Sequence, residues 1–256
     1  VFTPYLAVRG DLYRYTNYVD PNTLVPVPED SIARAMGTAA LTYSYPFVAH
    51  SHVGAHIVEP TAQIIYRPAR VTQRVLPDED ARSLIFDDTL LFDYDKFSGW
   101  DRIETGTRAN VGFQYTFQSK SGGYARFVAG QSFHLAGENP YTTPGSILVK
   151  GVAQPVFTAN SGLGTDRSDY VLGAYLAPVD IFRFVGQVRL DETDLSLNRA
   201  DLYAVLRLGP VTAVANYSLA AGDPAVGLFG TQQDFYGIVT LDITKNWSIS
   251  AYARYD

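Results

Sequence analysis

Thr107-Arg108-Ala109-Asn110-Val111-Gly112-Phe113-Gln114-Tyr115-Thr116-Phe117-Gln118 is the stretch that decides the fold. Successive side chains of a strand point to opposite faces. Ala109, Val111, Phe113, Tyr115 and Phe117 therefore share one face. Arg108, Asn110, Gln114, Thr116 and Gln118 share the other. A helix would scatter both sets around its circumference.

The same rhythm spreads in both directions. Phe182, Phe184, Val188 and Leu190 alternate with Arg183, Gln187, Arg189 and Asp191. Leu202, Ala204, Leu206 and Leu208 alternate with Asp201, Tyr203 and Arg207, and Trp247, Ile249, Ala251, Ala253 and Tyr255 with Ser248, Ser250, Tyr252 and Arg254. Weaker versions lie at 4–15, 38–46, 57–67, 124–135, 169–177, 211–219 and 234–242. That predicts about eleven strands, many near the ~9–11 residues that cross a bilayer on a tilt.

The connections alternate in length. Short ones are expected at Ser119–Gly123, Ala177–Asp180, Gly209–Pro210 and Thr244–Asn246, and a moderately short one at Phe47–Ala55. Long ones are expected at 16–36, 68–104, 136–168, 192–199 and 220–232. Long loops on one side and short turns on the other are the outer-membrane barrel pattern. A soluble sandwich shows the same stripe but has no reason to keep that order. Aromatics near strand ends, such as Tyr45, Tyr66, Phe117 and Trp247, suit interfacial girdles. The expected fold class is all-β: an antiparallel transmembrane β-barrel of outer-membrane type. Residues 1–256 are expected to be a single partial barrel domain. Single-chain bacterial barrels have even strand numbers. Eleven strands, with alternation running to Asp256, lead us to expect an incomplete fragment.

Composition narrows the class. The 256 residues include no cysteine, one methionine and 18 tyrosines. Charged residues are 18%, below the ~25% of ordinary domains. With a net charge of −6 and no dense Lys/Arg run, no nucleic-acid partner is expected. No apolar stretch reaches the ~18 residues of a spanning helix.

Candidate chemistry is sparse. His50, His52 and His56 cluster, which admits a metal site, but an exposed turn with incidental histidines is the preferred reading. Asp78-Glu79-Asp80 and Asp87-Asp88 admit Ca²⁺, but read better as solvated loop charge. No hydrolase elbow or zinc-protease motif is present, and no enzyme activity, cofactor or metal is expected. Arg108, Asn110, Gln114, Arg126, Arg183, Gln187, Arg189 and Arg207 fall on predicted polar, lumen-facing sides. The arginines suit phosphates, or alternatively lumen acids such as Asp191 and Asp201.

The 71–104 segment carries Leu76-Pro77, Phe86-Asp87-Asp88 and then Leu91-Phe92-Asp93-Tyr94-Asp95-Lys96-Phe97-Ser98-Gly99-Trp100-Asp101-Arg102. This resembles the Leu-Phe-x-x-Asn-Arg-Phe-Ser-Gly-x-Asp-Arg signature of the LptD family of lipopolysaccharide-assembly proteins. Leu91, Phe92, Phe97, Ser98, Gly99, Asp101 and Arg102 match in order. Asp95-Lys96 departs from it: a lysine keeps the charge of the family's arginine but loses the planar fork. Val58-Glu59-Pro60 resembles the family's strand-opening motif before that loop, and Thr107-Arg108-Ala109-Asn110 matches in kind.

The resemblance implies a non-enzymatic outer-membrane barrel of a Gram-negative bacterium that inserts lipopolysaccharide into the outer leaflet. It implies an LptE-like lipoprotein plug, an LptA-like periplasmic bridge acting through an N-terminal jellyroll with no counterpart here, and contact with outer-membrane lipid. It also implies a lateral opening between first and last strands. Phe92 and Phe97 are expected to anchor the motif loop by packing, Ser98-Gly99 to turn it, and Asp101 and Arg102 to pair with each other or with lumen charges. The loop is expected either to fold into or over the lumen as a structural gate or only to stabilise the extracellular cap. The runner-up function is a passive diffusion porin or other uptake barrel. A soluble β-sandwich adhesin is third.

Overall fold

The computed structural model describes residues 1–16, 18–19, 26–27, 30–68, 80, 84–142, 146–149, 152–155, 160–222 and 229–256. Leu76-Pro77 and Asp78-Glu79 lie outside them. The strands are β1 (Phe2–Tyr15), β2 (Tyr18–Val19), β3 (Pro26–Val27), β4 (Asp30–Ser44), β5 (Phe47–His50), β6 (Gly54–Arg67), β7 (Gly106–Ser119), β8 (Tyr124–Ala136), β9 (Ser146–Val149), β10 (Val152–Pro155), β11 (Tyr170–Val179), β12 (Phe182–Leu190), β13 (Leu197–Leu208), β14 (Val211–Ala220), β15 (Gln232–Thr244) and β16 (Trp247–Tyr255). Among the described residues there is no helix long and apolar enough to cross a membrane, which says nothing of crossing by strands.

Twelve strands form one antiparallel sheet in the order β1-β4-β6-β7-β8-β11-β12-β13-β14-β15-β16, with β5 also pairing with β6. The sheet is not closed: β1 and β16 are the two ends of this order. The eleven predicted strands are the eleven of this path. Several boundaries differ from the sequence reading: β13 begins at Leu197, inside the expected 192–199 loop, and β9 and β10 lie within the expected 136–168 loop. β4 begins at Asp30, so the last third of the expected 16–36 loop is strand. Phe47–His50 is not a turn but a strand that pairs Phe47 with Val58 and His50 with Ala55, leaving only Ser51–Val53 to reverse the chain. Glu59 and Pro60 lie in the middle of β6 rather than at its start, opposite Gln114 and Phe113. Their strand is longer than the motif suggests because Gly54, packed against the Gln118 carbonyl, lets pairing continue to the turn.

The hydrophobic pattern of the sheet is inverted relative to a soluble sandwich. On β7, Val111 is 50% and Phe113 49% exposed, whereas Arg108 is 3% and Asn110 0% exposed. The apolar face is bare. The polar face, called inner here, is covered by the chain's own loops from β4 to β12, whereas β16 is exposed along its whole length. The inversion repeats on other strands: Leu6, Val8 and Leu12 of β1, and Ile64 and Tyr66 of β6, are exposed, while Arg34 of β4 and Gln63 and Arg67 of β6 are buried. Burying apolar surface contributes ~25 cal/mol per Å². A sheet that leaves this face open in water forgoes that term, and a hydrocarbon environment restores it.

The hydrophobic core lies between the inner face and two loops. Leu84, Phe86 and Leu91 from the β6–β7 connection meet Tyr141 and Leu163 from the β8–β11 connection and Val171 from β11. Leu90, Phe92 and Phe97 pack against that cluster.

Candidate functional site

Residues 84–105 are seated on the inner face by glycines. Gly112 of β7 and Gly130 of β8 are directly paired. A Cβ on Gly112 would lie 3.1 Å from Leu91 Cδ2, and one on Gly130 would collide with the same atom. The two missing side chains form the notch that holds Leu91. Gly173 of β11 is a second seat, since a Cβ there would run into the Asp88 carboxylate. That carboxylate accepts from Tyr175 Oη at 2.7 Å and from Gln187 Nε2 at 2.8 Å. The solvated reading of Asp87-Asp88 is therefore corrected. Asp88 is buried, and Asp87 accepts from the Thr89 and Leu90 amides and shapes the turn that follows it. Strand-interior glycine marks a close approach of this kind.

The other end of the loop reaches the sheet edge. Arg34 donates to the carbonyls of Trp100 and Asp101, each at 2.7 Å. Arg9 and Tyr13 of β1 donate to the same Trp100 carbonyl. Arg67 donates to the Tyr94 carbonyl and Gln63 to that of Phe92 at 3.1 Å. Tyr94 stacks on Tyr5, with ring centroids 3.9 Å apart. Asp80 accepts from the amides of Trp100 and Asp101, and Gly99, with φ of +87°, makes room for it. A side chain at Gly99 would be strained as well as crowded. The strands thus hold the loop mostly through its main-chain oxygens.

Under the loop lies a buried ionic cluster. Arg108 pairs with Glu104 and donates to Ser132 Oγ at 3.2 Å. Ser132 donates to Asn110, Asn110 to Gln63, and Gln63 to the loop. Lys96 is 1% exposed, and its Nζ donates to the Asp93 carbonyl at 3.4 Å. Burial lowers its pKa to about 8. Asp95 accepts from the amides of Phe97 and Glu104, and burial raises its pKa to about 6. Burial alone would raise Glu104 too, but the charges of Arg108, Lys96 and Arg67 hold it below its ordinary value. Phe97 packs on Tyr141 at 4.7 Å between ring centroids, and the Arg102 guanidinium lies over Phe97 at 5.7 Å.

The structure gathers most of the sequence-predicted residues here. Leu91, Phe92, Asp95, Lys96, Phe97, Ser98, Gly99, Asp101 and Arg102 lie in the loop on the inner face. Register puts Glu59, Arg108, Asn110, Gln114, Arg126, Arg183, Gln187, Arg189 and Arg207 on that same face. They do not form one site. Arg183 and Arg207 are exposed near the short-turn ends of β12 and β13. Arg126 lies over the Tyr175 ring at 5.3 Å. The expected acid partners are corrected as well. Arg189 pairs with Asp169 at 3.1 Å rather than with Asp191, which instead caps its own turn through Thr193. Asp201 pairs with Arg199 at 2.6 Å. His56 shares hydrogen bonds with Tyr115 Oη at 2.8 Å and Ser51 Oγ at 3.2 Å. Among the described residues no group of three or more His, Asp or Glu side chains is arranged to hold a metal. Arg34, Arg67 and the three seat glycines were not singled out from sequence.

An antiparallel sheet with its apolar face outward and its polar face packed by its own loops belongs to the class of all-β proteins made for an apolar surrounding. Compared with known families, residues 1–247 match LptD, described as LPS transport system D, and the chain belongs to that family. It is a family of lipopolysaccharide transport at the outer membrane, and a transport component rather than an enzyme family. No curated protein matches the chain.

Proposed function

We propose that the chain forms wall and plug of an outer-membrane translocation barrel that inserts lipopolysaccharide into the outer leaflet. The observation that carries this is the inversion: the outer face is bare and apolar, and the inner face is polar and holds a structured loop. The twelve-stranded sheet closes into the barrel with further strands, residues 1–256 acting as one barrel-wall domain. The outer face meets outer-membrane lipid. The inner face offers sugars and phosphates of lipopolysaccharide a hydrogen-bonding wall. Residues 84–105 keep the lumen shut until substrate arrives. An LptE-like lipoprotein inside the barrel and an LptA-like bridge feeding it from the periplasm are the partners this reading requires.

The test is depletion of the full-length protein in a Gram-negative cell, followed by labelling of surface lipopolysaccharide. Loss of newly made surface lipopolysaccharide, restored by the wild-type gene, is expected. Unchanged delivery together with steady ion conductance of the purified protein in planar bilayers would point to a porin and refute the transport reading.

A further inference from the structure

Arg9, Arg34 and Arg67 stand on β1, β4 and β6, three consecutive strands of the sheet, and all point to the inner face. Arg9 and Arg34 share one carboxylate, Asp11, at 2.8 and 2.7 Å. The Arg34 side chain is 2% exposed, yet two of its hydrogen bonds go to neutral carbonyls, those of Trp100 and Asp101. Arg67 likewise spends its donors on Thr38 Oγ1 at 2.9 Å and the Tyr94 carbonyl. Deeper on the same face the arginines are matched differently, Arg108 by Glu104 and Arg189 by Asp169. Among the described residues, these three guanidinium groups thus bond to one carboxylate, to the hydroxyls of Tyr13 and Thr38 and to main-chain oxygens of the loop, while the Asp95 and Glu104 carboxylates lie in the field of Arg67 without a hydrogen bond to it.

We propose that Arg9, Arg34 and Arg67 are an anion-binding site for the phosphate groups of a phosphorylated amphiphile, and that the loop carbonyls of Tyr94, Trp100 and Asp101 occupy it as an internal stand-in. A guanidinium binds phosphate through two parallel hydrogen bonds, and bonds to an ionised acceptor are about twice as strong as bonds to a neutral one. Phosphate therefore outcompetes a peptide carbonyl at each fork. The exchange leaves the loop without its clasp at the β1 edge, while Leu91 and Asp88 still hold the other end. Ligand binding and loop release become one equilibrium, so each draws on the other. The site rests on the transport reading for the identity of its ligand. The shared chemistry is phosphate, and the amphiphile rather than free phosphate is the assigned source, because the loop is displaced only by a ligand that also fills the space it leaves.

The experiment uses the full-length protein in detergent and three probes: lipopolysaccharide, chemically dephosphorylated lipopolysaccharide, and inorganic phosphate. Hydrogen exchange of peptides spanning 92–102 reads loop release, and a binding isotherm reads affinity. Lipopolysaccharide is expected to speed exchange in that segment by at least about tenfold, and the other two probes to leave it unchanged. Arg67→Gln is expected to weaken lipopolysaccharide binding at least about tenfold while leaving dephosphorylated lipopolysaccharide unaffected. Equal binding of both lipids with no loop release overturns the site but leaves the transport reading intact. Loop release by inorganic phosphate alone overturns the assignment to an amphiphile. Failure of intact lipopolysaccharide to bind wild-type protein overturns both this inference and the transport reading. The wild-type exchange arm decides the matter even where a variant fails to fold.

Discussion

Leu91→Ala is the sharpest single perturbation of the docked loop. Leu91 has no exposed surface and belongs to one buried cluster with Leu84, Phe86, Tyr141, Leu163 and Val171. Truncating a buried leucine costs ~2–5 kcal/mol, the larger values where the surroundings cannot collapse. Here they cannot collapse easily. The floor of the notch is backbone of two paired strands, Gly112 and Gly130, fixed by the β7–β8 ladder. The upper part of the range, ~3–5 kcal/mol, is therefore expected, or ~150-fold to several thousand-fold in the docking equilibrium at ~1.4 kcal/mol per tenfold. The loss falls on a local opening rather than on the sheet, whose ladders Leu91 does not join. Hydrogen exchange of the detergent-solubilised protein separates the two. Peptides within 84–105 should exchange faster by about that factor, up to the intrinsic rate, while peptides from β12 and β13 keep wild-type protection. Loop peptides at wild-type rates in a folded variant would refute the seating argument. Equal acceleration of loop and strands would show that loop and sheet are one cooperative unit.

Three further outcomes follow from the same geometry. Gly130→Val or Gly173→Ala should evict the loop from the opposite side of the contact, raising single-channel conductance in planar bilayers; wild-type conductance in both would count against the seats. Glu104→Gln leaves the Arg108 guanidinium buried without its carboxylate and should cost ~3–5 kcal/mol of loop docking, with Glu104→Gln plus Arg108→Gln recovering much of it in a double-mutant cycle. For pH, Asp95 has a docked-state pKa raised to about 6, so the docked state binds a proton more readily than the free loop. Docking is then strengthened as pH falls from about 6 towards the ordinary carboxylate value and weakened as pH rises through that window. The slope should vanish in Asp95→Asn, measured as loop exchange across the pH range, and a slope unchanged in that variant would assign the effect elsewhere.

The strand rhythm was legible because the sheet is one layer thick. Each strand contrasts an outer apolar set with an inner polar set, and nothing beyond neighbouring strands is needed to see it. It faded where the contrast fades. Ser31 to Gly37 reads Ser-Ile-Ala-Arg-Ala-Met-Gly, with alanine on the outer face and Ile32 and Met36 turned inward. Apolar and polar no longer mark the two sides, so the first half of β4 passed for loop and took Arg34 with it. β5 was hidden by Pro46, which has no amide to donate and reads as a break. The chain resumes pairing one residue later, with the Tyr45 amide held by the Pro60 carbonyl.

The site was legible as a motif and illegible as a site. Leu91 to Arg102 announces itself by its residue types, but much of what holds it is addressed to main-chain oxygens, which every residue carries and no sequence displays. Arg34, Arg67 and Gln63 would clasp almost any chain passing at that distance. Specificity therefore has to come from the few points where side-chain shape decides: Leu91 over two glycines, Asp88 over a third, and Gly99 over Asp80. Such a division suits a plug. Contacts to the backbone are individually exchangeable and leave when better acceptors arrive, whereas the leucine notch and the aspartate seat return the loop to one register when they go.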